Sequence, residues 1–163
     1  MKIFSGEQKD TGFGMIEMIV GAAVLSTSLL GISIFFQATL QVGITTQSII
    51  QGDYLLEEGV EAVKLLRDTG YANNILKLST TTVYYLVWNG TSWATSTTNT
   101  FIDGQFERKL TVTDVTRDAN YGIAATGTYD PNIKLINVSV AWSGSQGTTT
   151  RSISTYVTNL FNN

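Results

Sequence analysis

Hydrophobic and polar positions change rhythm twice along the chain. Residues 18–36 are almost continuously apolar, and the first charged residue after Glu17 is Asp53. A hydrocarbon layer about 30 Å thick is crossed by roughly 20 apolar helical residues, and a helix satisfies its own backbone groups in lipid. Residues 16–36 therefore read as one membrane-spanning helix. Gly21 and Gly31 do not oppose this, because small residues in spanning helices admit a close neighbour. Beyond the span the pattern stays helical but turns amphipathic: Ile49, Leu56, Val60 and Val63 recur at helical steps, with Asp53, Glu57, Glu58 and Glu61 between them. Asp68-Thr69-Gly70 reads as the stop, with Gly70 as the C-cap. The expectation is one helix from about residue 14 to about residue 68, in which Gly43, Gly52 and Gly59 are weak points that permit a bend.

From residue 71 the period becomes two and the composition shifts to Thr, Ser, Asn, Gly and β-branched or aromatic residues, as in antiparallel strands. Residues 82–88, Asn89-Gly90 and residues 92–95 read as a hairpin, since Asn-Gly accepts the positive φ of a tight turn. Residues 105–116 alternate through Phe106, Arg108, Leu110, Val112 and Asp114. Residues 133–142 do so with a phase slip, and residues 148–158 return as the last strand after a turn at 143–147. Residues 95–100 read as a solvated Thr/Ser/Asn loop. Four or five short strands on one helix face make a small α+β domain.

Composition narrows the function. Only 14% of the 163 residues are charged, the net charge is −3, and the chain has no His and no Cys. No basic field exists to hold a nucleic-acid backbone. The usual general base, thiol nucleophile, disulfide and nitrogen or sulfur metal ligands are missing. No catalytic residue, cofactor or metal is expected, and the chain reads as a non-enzyme. Asp114, Asp118, Asn120, Asp130 and Asn132 offer oxygen ligands of the kind calcium takes, but their spacing fits no ligand loop and turn formation accounts for them. Glu57, Glu58 and Glu61 read as a solvated stripe or an intersubunit charge surface. Asn89-Gly90-Thr91 and Asn137-Val138-Ser139 match the glycosylation acceptor pattern, a common one. Trp88 and Trp93 suggest sheet-core packing or cross-strand pairing rather than an exposed aromatic patch.

The sharpest motif lies at the head of the apolar run: Lys9-Asp10-Thr11-Gly12-Phe13-Gly14-Met15-Ile16-Glu17. It resembles the type IV prepilin cleavage and methylation motif, in which a short basic-leaning leader ends in Gly, Phe opens the mature chain, and Glu is its fifth residue. The resemblance implies cleavage of Gly12-Phe13 by a prepilin peptidase, N-methylation of Phe13, and pairing of Glu17 with the N-terminal amine of a neighbouring subunit. An isolated first-turn acid would also suit a helix N-terminus and its dipole. Gly14 and Met15 depart from the family's usual Thr-like residue and Leu. The span lacks the Pro, and the C-terminal part the Cys pair, of many major pilins, which points to a minor pilin or pseudopilin. Residues 138–160 resemble the last hairpin of such proteins in type IV pilus and type II secretion systems.

The implied organisation is a cleaved leader (1–12), a transmembrane or filament-core helix (13–36), an amphipathic continuation (37–68) and a Thr-rich antiparallel β domain (69–163), a pilin-like α+β chain. Implied partners are sibling pilins, the peptidase, an inner-membrane platform protein and an assembly ATPase. Lys2 and Lys9 place the N-terminus in the cytoplasm by the positive-inside rule and the C-terminal domain outside, before transfer to a pilus or a periplasmic or extracellular filament. The rival expectation is an uncleaved single-pass protein displaying a β domain for binding or adhesion.

Overall fold

A computed structural model describes residues 12, 14–144 and 147–162. The element order is one helix and six strands: α1 (Met15–Asn74), β1 (Tyr84–Trp88), β2 (Trp93–Ser96), β3 (Glu107–Arg117), β4 (Ile123–Ala124), β5 (Thr128–Gly144) and β6 (Gly147–Thr158). The strands form one antiparallel sheet in the order β2-β1-β3-β5-β6, with β4 paired to β3. The fold is α+β, as the two periodicities predict. The chain divides between Ile44 and Thr45 into two compact units.

In the first unit, α1 residues 15–44 are exposed throughout. This is the one described helix long and apolar enough to cross a membrane. Such a helix is compatible with a single-pass anchor.

In the second unit, the remainder of α1 packs on one face of the sheet. Its contact stripe is Gly52, Leu56, Gly59, Ala62, Val63 and Leu66. This corrects the sequence-derived stripe, since Ile49 and Val60 are only partly buried at its margin. It also corrects the view of Gly52 and Gly59 as weak points. A Cβ on Gly52 would lie 2.6 Å from the Trp142 ring, and one on Gly59 would lie 2.8 Å from Val138 Cγ1. Their missing side chains let helix and sheet approach.

The helix does not end at residue 68. Gly70 breaks its geometry with φ 154° and ψ 93°, and a further turn runs on to Asn74. Asn74 Nδ2 donates to Leu66 O at 2.9 Å and to Thr69 Oγ1 at 3.1 Å, so a side chain returning from beyond the break caps carbonyls that the break leaves open.

The sheet's helix-facing rows are in register: Val112 opposite Ile136, Leu110 opposite Val138, Arg108 opposite Val140. Phe106, Leu110, Ile136, Val138 and Val140 are fully enclosed, with Leu86, Tyr71 and Ile75 closing the core. Several expectations about the strands change. Six lie among the described residues, and β5 and β6 are long, at 17 and 12 residues. The alternation of β3 holds through Asp114, which pairs in register with Lys134; a register shift between Asp114 and Thr116 follows, and Val115 within it is buried. The hairpin closes through four residues, because Trp88 pairs with Trp93. Gly90 takes φ 96°, while Asn89 Oδ1 accepts the Thr91 and Ser92 N–H groups at 3.0 and 2.9 Å. Asn89 thus acts through its side chain. Thr95 and Ser96 belong to β2 and not to the loop that follows.

Candidate functional site

The start of α1 is built by local hydrogen bonding. Gly14 O accepts the Met18 N–H at 3.3 Å, which makes Gly14 the N-cap. Glu17, three residues on, turns its carboxylate back and accepts the Gly14 N–H at 3.0 Å. This is the return half of a capping box, placing negative charge at the positive end of the helix dipole. Of the predicted site residues, Gly12, with open space around its Cα, precedes this cap. Phe13 lies outside the described residues, as does the leader through Thr11.

Along the exposed apolar stretch the polar side chains turn inward on their own helix. Ser26 donates to Ala22 O at 2.7 Å, Ser28 to Val24 O at 2.7 Å, Ser33 to Leu29 O at 2.9 Å and Thr39 to Phe35 O at 2.9 Å. Thr27 bonds both Ala23 O and Val24 O. These hydroxyls need no water, so the stretch can face lipid or other helices without stranding a donor. Gly21, Gly31 and Gly43 have no neighbouring atom in the space a Cβ would occupy. The surface thus offers large apolar side chains with small gaps between them, which suits close helix–helix packing.

In the second unit, charged side chains tie α1 to the sheet. Arg108 on β3 is buried; its NH1 donates to Glu58 Oε2 at 2.5 Å and to Leu55 O at 3.3 Å, and its guanidinium lies 5.0 Å from the centre of the Trp93 ring. Arg151 NH1 bridges both oxygens of Asp53, at 3.0 and 3.1 Å. Of the expected acidic stripe, Glu58 is therefore a structural partner, and Glu61 pairs with Lys64 at 2.6 Å. Trp88 and Trp93 do pair across the hairpin, edge to face, with ring centres 5.6 Å apart.

A second buried cation closes the far end of the core. Lys134 bonds Asp114 and lies 5.2 Å from the centre of the Tyr129 ring. Burial alone would lower its pKa, but hydrogen bonds to Asp114 and Tyr129, with their charges, raise it above that of a free lysine. Close by, Tyr71 donates its phenol to Pro131 O at 3.0 Å. Burial pushes this phenol up to about 12.

The oxygen-rich loop residues are engaged in turns. Asp118 Oδ1 accepts the Asn120 and Gly122 N–H groups at 2.9 and 2.8 Å. Asp130 pairs with Arg117 at 2.5 Å, and with the Asn132 N–H this holds its carboxyl below the ordinary range. Among the described residues no three acids converge as a metal cage would require. Asn137 Nδ2 donates to Ser154 Oγ at 2.8 Å across β5 and β6.

Sequence reasoning missed Arg108, Lys134, Gly52 and Gly59 as determinants of the fold. The signal for Arg108 was present, since it shares the inward phase of Phe106, Leu110 and Val112. No family model matches the chain, and no curated protein or solved structure matches it.

Proposed function

We propose that this chain is a structural subunit of a type IV pilus or related secretion filament, of minor pilin or pseudopilin kind. It is processed at Gly12-Phe13, methylated on Phe13 and assembled through its apolar helix. The observation that carries the proposal is the sequence Gly12-Phe13 placed immediately before a capped helix whose first turn holds Glu17 and whose next turns are uncharged and exposed. An acid at the edge of such a span costs on the order of 3 kcal/mol toward the bilayer centre on insertion scales. In the single chain it is partly satisfied by the Gly14 N–H. In a filament it would meet the amine of a neighbouring subunit, and that exchange would set the stacking register. The work is mechanical and the chain performs no catalysis. Its partners would be sibling pilins, a prepilin peptidase, a platform protein and an assembly ATPase, and its location a cytoplasmic membrane with the β domain outside, then the filament.

Mass spectrometry of the native N-terminus tests this reading directly. The expected species begins at Phe13 and carries an N-methyl group. Material that keeps residues 1–12 would favour the uncleaved, anchored binding protein. As a companion measurement, Glu17→Ala should leave membrane insertion intact and remove the protein from sheared filaments, and normal incorporation would refute the proposed pairing.

A further inference from the structure

The tip of the β1–β2 hairpin brings together an electrophile and a nucleophile. Asn89 is the one asparagine of the chain that glycine follows, and residues 89–92 are all exposed. An asparagine side chain closes into a five-membered ring when the backbone nitrogen of the next residue attacks its carboxamide carbon. That nitrogen must be uncovered and able to lose its proton. Gly90 has no side chain to cover it, and among the described residues no acceptor meets its N–H.

The carbonyl to be attacked is prepared as well. Asn89 Oδ1 accepts the Thr91 and Ser92 N–H groups at 3.0 and 2.9 Å. Negative charge collects on this oxygen as nitrogen adds to Cγ, so both donors already stand where an oxyanion needs them.

Elsewhere in the chain the nucleophile is occupied. The residues after Asn74, Asn120 and Asn159 are Ile75, Tyr121 and Leu160, whose N–H groups donate to Tyr71 O, Asp118 O and Thr158 O at 2.9, 3.1 and 2.9 Å. Asn137 lies between two paired strands, and its Nδ2 is held by Ser154 Oγ at 2.8 Å.

We propose that Asn89 is a site of spontaneous covalent modification, converted through a succinimide to aspartate and isoaspartate. Hydroxide takes the Gly90 amide proton, the nitrogen bonds to Asn89 Cγ, the Cγ–Nδ2 bond breaks and ammonia leaves. One water then opens the ring. Opening at Cγ gives aspartate, and opening at the backbone carbonyl gives isoaspartate. Either product adds a carboxylate to a chain whose net charge is −3. Isoaspartate also lengthens the main chain beside the Trp88–Trp93 pair. This inference is independent of filament assembly.

The test is incubation of the full chain in phosphatidylcholine nanodiscs at mildly alkaline pH, with peptide mass mapping over time. The amide-to-acid mass change should accumulate on the Asn89 peptide at least about tenfold faster than on peptides holding Asn74, Asn120, Asn137 or Asn159. In isotopically labelled water the product should carry one heavy oxygen, and isoaspartyl methyltransferase should label part of it. Asn89→Gln, which would need a six-membered ring, should slow the change by about tenfold or more. Comparison with the urea-unfolded chain decides what the turn contributes. The native rate at Asn89 should equal or exceed the unfolded rate, or fall no more than about threefold below it. A larger slowing on folding, or change spread evenly over the asparagines, overturns the inference.

Discussion

Gly31 and Gly52 occupy the same helix and have the same side chain, yet their surroundings are opposite. Around Gly31 nothing lies where a Cβ would stand, whereas at Gly52 the Trp142 ring fills that space. The leucines repeat the contrast: Leu29 is 64% exposed, while Leu110 under the second half of the helix is 0% exposed. In the second unit the chain supplies its own packing partner. In the first it leaves an apolar, hydroxyl-satisfied surface for something else to cover. Lipid before assembly and sibling helices after it are what the proposed function puts there. A stability measurement on the sheet should therefore register changes in the second unit and ignore those in the first.

The widest gap is expected between the leucines. Leu110→Ala should lower the unfolding free energy of the sheet by about 2–5 kcal/mol, through lost burial and the cavity left behind. Leu29→Ala should leave it unchanged within about 0.5 kcal/mol. Urea unfolding in mixed micelles, followed by tryptophan fluorescence, to which Trp142 in its contact with Phe106 contributes, reads both. Equal losses would mean that the first half of the helix contributes to the stability of the second unit.

The glycines sharpen the same contrast at smaller scale. Gly52→Ala forces a methyl into the Trp142 ring, an overpacking cost of about 1–3 kcal/mol. Alanine's better helix propensity offsets about 1 kcal/mol of that. A net loss of about 1–2 kcal/mol is expected for Gly52→Ala, against no loss for Gly31→Ala. If Gly52→Ala stabilised the protein, the close approach of helix and sheet would not be what this glycine is for.

Much of the architecture was legible because it rests on local pattern. The uncharged run defines the apolar helix without reference to any other part of the chain, and the alternation from Phe106 to Val112 defines β3. The acid at position 17 falls three residues after an N-cap glycine, a spacing visible in the sequence. What could not be read depends on residues far apart. Gly52 looks like a defect until Trp142, ninety positions later, is placed against it. Lys134 extends the inward phase of Ile136, Val138 and Val140, and only its pairing with Asp114 on β3 explains a buried ammonium. Pro131 argues against strand, yet β5 runs through it, beside the β3 irregularity between Asp114 and Thr116 where no ladder donor is needed. At the helix start, the structure shows Glu17 as a local cap on the Gly14 N–H.

The smallest expected effects lie within the second unit and concern its response to high pH. Tyr71 joins the last turn of α1 to the sheet through Pro131, and burial raises its phenol from 10.0 to about 12. A raised folded-state pKa means that the native protein holds this proton more tightly than the unfolded chain does. The stability it contributes is complete below pH 10 and is lost as pH climbs toward 12. Lys134, whose ammonium is also held above its ordinary value, acts in the same direction. The urea midpoint should thus fall between pH 10 and 12. In Tyr71→Phe that alkaline limb should flatten without vanishing, because the Lys134 contribution remains. At pH 8 the same variant should lose the hydrogen bond to Pro131, worth about 0.5–1.5 kcal/mol. An alkaline limb of unchanged steepness in Tyr71→Phe would show that the phenol is already ionising as freely in the native sheet as in the unfolded chain.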